Sequence, residues 1–148
     1  MFNESRIDIY DYLYNLVYDV VTKNVYRMGE PTETTDSDTK DGFVVLNVGN
    51  MNNNSEFDFD AFGSVRCTIT AFVPQRTKGR LNKTLYKAFE TSINEVVNNA
   101  IHNETSQAYY ISGDDVLSID TVETTQQGNQ YHVYIKSFLV IMDGELEQ

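Results

Sequence analysis

Ser64-Val65-Arg66-Cys67-Thr68-Ile69-Thr70-Ala71-Phe72-Val73 alternates with a period of two. Val65, Cys67, Ile69, Ala71 and Val73 fall on one side, Arg66, Thr68, Thr70 and Phe72 on the other. Successive side chains of a strand point to opposite faces, so this pattern predicts a strand with one face on a core. Cys67 sits among the apolar set and reads as a small core residue. Pro74 ends the run.

Moving toward the N-terminus, residues 42–48 (Gly-Phe-Val-Val-Leu-Asn-Val) are short and β-branched and read as a second strand. Val25, Tyr26, Arg27 and Met28 read as a shorter one, stopped by Gly29 and Pro31. Before them, apolar residues recur at Ile7, Tyr10, Leu13, Tyr14, Val17, Val20 and Val21, which is helical spacing. Ser5 and Asp8 form a capping box at the start of that helix, which is expected to end between Thr22 and Asn24. Toward the C-terminus, Asn82 or Thr84 caps a second helix running to about residue 99. Its buried stripe is expected at Leu81, Leu85, Ala88, Phe89, Ile93, Val96, Val97 and Ala100. Residues 116–123 and 131–142 read as two strands joined through Gln127, Gly128 and Asn129. The last of these is apolar on both faces, with Val133, Ile135 and Leu139 opposite Tyr134, Phe138 and Val140, so it belongs in the middle of a sheet or under a partner.

Strands grouped apart from helices predict a single α+β domain over residues 1–148. The expected architecture is an antiparallel sheet of about four to five strands with two amphipathic helices packed on it. Residues 30–41 and 50–60 contain no hydrophobic run and read as polar loops or arms, and residues 143–148 as a loose acidic tail.

A chain of 148 residues buries enough surface to fold without disulfides or metals. Its one cysteine rules out an intrachain disulfide, and the N-terminal stretch has neither the basic nor the apolar region of a signal peptide. No apolar run is long enough to span a bilayer, so the expectation is an intracellular protein without a membrane partner. A net charge of -11 disfavours a sequence-independent nucleic-acid binder, which needs cations to displace phosphate counterions. The charge is unevenly spread. Arg76, Lys78, Arg80, Lys83 and Lys87 place five of the eleven basic residues in one window that contains no acid. This window is either a solvated helix start or a docking site for an acidic surface, including that of an identical neighbour.

Chemistry is harder to find. The two histidines, His102 and His132, sit at a helix end and on a strand and read as structural. Asp36, Ser37, Asp38, Thr39, Lys40, Asp41 and Gly42 hint at a calcium loop, but Lys40 stands where a ligand belongs and the glycine comes one position late. Phe57, Asp58, Phe59 and Asp60 offer paired carboxylates with no third ligand in range and read as an edge or docking strand. Residues 77–84 have Lys83 and Thr84 before a helix but only Gly79, too few glycines for a phosphate loop. The reading is a non-enzyme with no catalytic residue, metal or cofactor, whose interface residues are the five cations and Phe57 to Asp60.

The layout itself carries a likeness: an amphipathic helix, a strand holding Asn24-Val25-Tyr26-Arg27, a long polar loop, two strands, a helix and a closing hairpin. It resembles the tail-terminator, tail-completion and neck (head–tail connector) proteins of tailed bacteriophages. The asparagine- and tyrosine-rich composition suits a phage of an AT-rich gut bacterium, such as a crAss-like one. The resemblance implies a virion protein assembled in the host bacterial cytoplasm as a homo-oligomeric ring. Such a ring would contact other neck, portal or tail proteins around a channel through which DNA passes without specific binding. An acidic wall would suit that channel by repelling phosphates. The alternative is a non-catalytic intracellular adaptor that binds a partner protein through its loops. An enzyme using Asp58, Asp60 or His132 is the third reading, disfavoured by the sparse histidines.

Overall fold

A computed structural model of the chain describes residues 6–29, 31, 34–49, 62–102, 109–124 and 130–143. The alternating stretch lies within β3 (Phe62–Pro74), which pairs antiparallel along its whole length with β6 (Gln130–Asp143), from Phe62 opposite Asp143 to Pro74 opposite Tyr131. On the other edge of β3 lies β2 (Phe43–Val48), followed by β1 (Val25–Arg27). The far edge of β6 carries two strands in line. β5 (Leu117–Thr124) covers its first half and β4 (Tyr109–Ile111) its last residues. Among the described residues three α-helices accompany the sheet: α1 (Arg6–Val17), α2 (Asp36–Asp41) and α3 (Lys83–His102).

Register sorts the side chains. Val44, Ala71 and Tyr134 lie across from one another, as do Val48, Cys67 and Phe138. That face is covered by α1 and α3, which bury Ile9, Leu13 and Val17 and Phe89, Ile93 and Val97 against it. Fourth-residue spacing keeps each set on one helical stripe. Each such side chain contributes roughly 1.5–3 kcal/mol by leaving water, so this face supplies most of the fold's stabilisation. Tyr10 ties helix to sheet: its buried hydroxyl accepts the Val48 N–H at 3.1 Å.

The opposite face holds a smaller cluster of Phe43, Val45, Phe72, Tyr131 and Val133. Phe43 and Phe72 stack at 4.7 Å, and Tyr131 meets both edge-on at 5.5 and 5.8 Å. Tyr26 meets Phe43 edge-on and donates its hydroxyl to Asp38 on α2. Asp38 is fully buried and closes a capping box, accepting the Thr35 N–H while the Thr35 hydroxyl accepts its own N–H. Gly42 then ends α2 at φ +82, where a Cβ would lie 2.7 Å from the Phe72 carbonyl oxygen and 2.9 Å from the Phe89 ring. Glycine alone fits that backbone angle and that gap.

The α+β class holds, with a sheet of six strands and three helices rather than four to five strands and two. The sheet is mixed, because β1 runs parallel to β2. Parallel neighbours need a crossover, and the stretch read as a solvated loop at residues 30–41 supplies it, with α2 inside it. No apolar periodicity marks α2; its cap and a buried carboxylate hold it. α1 stops at Val17, short of the expected 22–24, because Asp19 turns to φ 64 ahead of a β-branched run. Ile9 therefore joins the core, while Ile7 and Val20, expected inside, are exposed. Leu81 and Ala88 of the expected α3 stripe are exposed too. The expected arm at residues 50–60, the turn through Gln127 to Asn129 and residues 144–148 of the tail lie outside the described residues.

Two substitutions test how the second face is held. Gly42→Ala is expected to lower unfolding free energy by about 1–3 kcal/mol, through strain at a positive φ. Tyr26→Phe, which removes a donor from buried Asp38, is expected to cost about 1–3 kcal/mol. Urea titration followed by circular dichroism measures both, and a wild-type midpoint for either variant would contradict the corresponding role.

Candidate interaction surface

The basic window begins where β3 runs out. Residues Thr77–Gly79 form a single 3-10 turn, with Lys78 at φ 63 and Gly79 at φ 73. The turn is closed by the Arg76 N–H donating to the Arg80 carbonyl at 2.7 Å and the Gly79 N–H to the Arg76 carbonyl at 3.1 Å. A turn this tight leaves no room inside for long side chains, and Arg76, Lys78 and Arg80 are all exposed. Asn82 then starts α3, its Oδ1 accepting the Leu85 N–H at 3.3 Å. Lys83 and Lys87 follow, also exposed and one helical turn apart. The first turn of α3 contains no acid. Cations at the positive end of a helix dipole are unfavourable by a few tenths of a kcal/mol to about 1 kcal/mol each. Among the described residues the ion pairs are Lys23 with Asp19 and Arg27 with Asp11, so none of the five window cations is neutralised within them. An acidic partner would relieve that repulsion.

Beside the window lies a groove of about 410 Å³ between the start of α3 and β5. Leu81, Tyr86 and Glu90 line one wall, and Asp120, Thr121, Val122 and His132 the other. The Tyr86 hydroxyl donates to Asp120 across it. Burial, reinforced by that hydrogen bond, holds the Tyr86 phenol above its ordinary value, so it stays protonated and keeps donating. The His132 Nδ1 is buried without a hydrogen-bond partner among the described residues. Deeper along the same edge the Tyr134 hydroxyl donates to Asn94 at 2.7 Å, and Lys136 donates to Ser118 at 3.0 Å. Burial pushes the Lys136 ammonium down, opposed by Glu90.

Cys67 is buried, and burial pushes its thiol up to about 12, which keeps it from acting as a nucleophile near neutral pH. No cluster of three or more His, Cys, Asp or Glu able to hold a metal ion occurs among the described residues. No helix among them is long and apolar enough to cross a membrane.

Of the residues singled out from sequence, Arg76, Lys78 and Arg80 lie on the β3–α3 connection and Lys83 and Lys87 in the first turns of α3. Phe57, Asp58, Phe59 and Asp60 lie outside the described residues, as does the side chain of His102. Sequence reading missed the groove, because its walls come from segments more than thirty residues apart, as with Tyr86 and Asp120. It also missed the exposed apolar residues of β5, Leu117, Ile119 and Val122, whose spacing suggests a strand but not its place at the sheet edge. No protein-family model matches the chain, and no curated protein matches it.

The buried hydroxyl and thiol groups set an alkaline limit. Burial raises Tyr12 and Tyr26 from 10.0 to about 12 and Cys67 from 9.0 to about 12. The fold holds the protonated forms, so their contribution is complete below about pH 9 and is lost as pH rises toward about 12. Melting temperature should stay level from neutral pH to about 9 and then fall, with Cys67→Val delaying the onset toward about pH 10. A melting temperature unchanged at about pH 11 would count against this account.

Proposed function

We propose that this protein is a structural component of a phage virion that forms a homo-oligomeric ring at the head–tail junction or the tail, joining adjacent rings around the DNA channel. The observation that carries the reading is the segregated charge. Five exposed cations at and just before the start of α3, none of them ion-paired among the described residues, stand on a chain of net charge -11. Such a protein attracts an acidic neighbour at one place and repels nucleic acid over most of its surface. The layout's resemblance to phage connectors supplies the setting, and the cationic rim is the contact with an acidic surface of an adjoining ring or subunit.

The groove beside that rim favours a second reading, an intracellular adaptor. Leu81, Tyr86 and Val122 would receive an apolar side chain of a single partner protein, with the cations holding its acidic flank.

Mass photometry over a concentration series, together with a search for the chain in purified phage particles, separates the two. The ring reading expects concentration-dependent oligomers or incorporation into particles; a strict monomer absent from particles would exclude it, and a defined heteromeric complex would select the adaptor. Reversing Lys83 and Lys87 to Glu is expected to weaken docking about tenfold or more while leaving the circular dichroism spectrum unchanged. Wild-type docking should also weaken as salt is raised, because exposed charges are screened.

A further inference from the structure

Resting on the ring reading, we infer that the lateral contact between copies is an edge-to-edge pairing of β5 on one copy with β1 on the next, which continues the sheet from subunit to subunit. Both strands are sheet edges. Among the described residues β1 pairs only with β2, and β5 only with β6, so one side of each backbone ladder has no strand beside it. A free edge is a template for another strand, and proteins that avoid such pairing blunt the edge with a very short strand, charged side chains (lysine above all), proline or a bulge. β5, with the sequence Leu-Ser-Ile-Asp-Thr-Val-Glu-Thr, contains neither lysine nor proline, and its register with β6 runs unbroken from Leu117 opposite Ser137 to Thr124 opposite Gln130.

The exposed apolar residues point to the same two places. Leu117, Ile119 and Val122, each 47–54% exposed, lie on β5. Tyr18, Val20 and Met28, each 40–64% exposed, flank β1 in the chain. Among the described residues only Ile7 and Leu81 complete the set of exposed large apolar side chains. By its register with β6, β5 turns Leu117 and Ile119 to the face away from α1 and α3 and Val122 to the helix-covered face, so exposed apolar side chains flank its free edge on both sides.

Charge and strand direction choose the occupant. The chain from Lys87 to Lys136 has no lysine or arginine between those two, and Asp114, Asp115, Asp120 and Glu123 lie in and just before β5. Two β5 edges meeting across a two-fold axis would set these acids against each other. The β1 side carries Lys23 and Arg27 against Asp19 and Asp11, a balanced edge that an acidic strand can approach. Following the pairing across the sheet, β1 and β2 run together, β3 opposes them, β6 runs with them and β5 opposes them. Rotation about an axis along the strands preserves these directions, so β5 meets the next copy's β1 antiparallel, the better-bonded arrangement. The contact is heterologous, and such contacts close into rings when the rotation closes. β5 is backed for this role: Arg66 reaches from β3 to the Asp115 carbonyl at 2.8 Å and anchors the turn that enters it.

The test uses two variants of the full chain, studied by mass photometry and light scattering with circular dichroism as the fold check. Ile119→Glu with Val122→Glu spoils the β5 edge, and Val20→Glu with Met28→Glu spoils the β1 edge. Each alone is expected to be monomeric at concentrations where the wild type assembles. Mixed in equal amounts they should form a heterodimer and nothing larger, since one intact edge of each kind remains. If either glutamate pair unfolds the domain, Ile119→Thr with Val122→Thr, or Val20→Thr with Met28→Thr, carries the same comparison. Wild-type rings from either variant would overturn the inference while leaving the ring reading intact. Dimers from the β1 variant alone would overturn it in favour of two-fold β5 pairing. A wild type that is monomeric at every concentration and absent from particles would overturn both.

Discussion

The ladder between β3 and β6 is the constraint from which the other elements take their positions. Its thirteen pairs run from Phe62 opposite Asp143 to Pro74 opposite Tyr131 and join strands distant in the chain. Because side chains alternate, this one register decides that Cys67 and Phe138 face the helices while Phe72 and Val133 face away. A slip of one residue would turn each strand's apolar set to the wrong side. β6 is also long enough to carry β4 and β5 end to end on its far edge, so the chain after α3 is placed by a strand formed later in sequence.

Two faces of unequal strength follow. The helix-covered face is large and apolar, and α1 and α3 meet it through side chains four residues apart. The other face relies on a compact aromatic group and on α2, a six-residue helix with little apolar surface of its own. What holds α2 is polar: a capping box and a buried carboxylate that accepts from Tyr26. Gly42 lets the chain pass between the Phe72 carbonyl and the Phe89 ring, so the two faces are coupled at that point. A helix this short would not persist without those fixed partners.

The electrostatic character follows from the same layout. Most acids are spread along the chain, whereas five cations fall in one twelve-residue window, where a tight turn and the first turns of α3 keep them exposed. That cluster was legible because contiguous charges stay together whatever the fold. The groove beside it was not, since Tyr86 and Asp120 become neighbours only when β5 has joined β6 and α3 has crossed the sheet. The apolar residues of β5 were readable as a strand, but nothing local distinguishes an edge strand from an inner one.

Periodicity and composition by themselves determined the α+β class, the strand at residues 64–73, the helix that follows it, the two-faced burial of the last strand and the single cationic window. These are local properties: alternation, fourth-residue spacing and runs of one charge report on the few residues that carry them. Only the tertiary structure decided that β1 runs parallel to β2, that Asp38 of the short α2 is buried, and that β1 and β5 are left at the margins of the sheet. Each of these depends on which distant segment comes to lie alongside, and a pairing partner leaves no mark on the strand that awaits it.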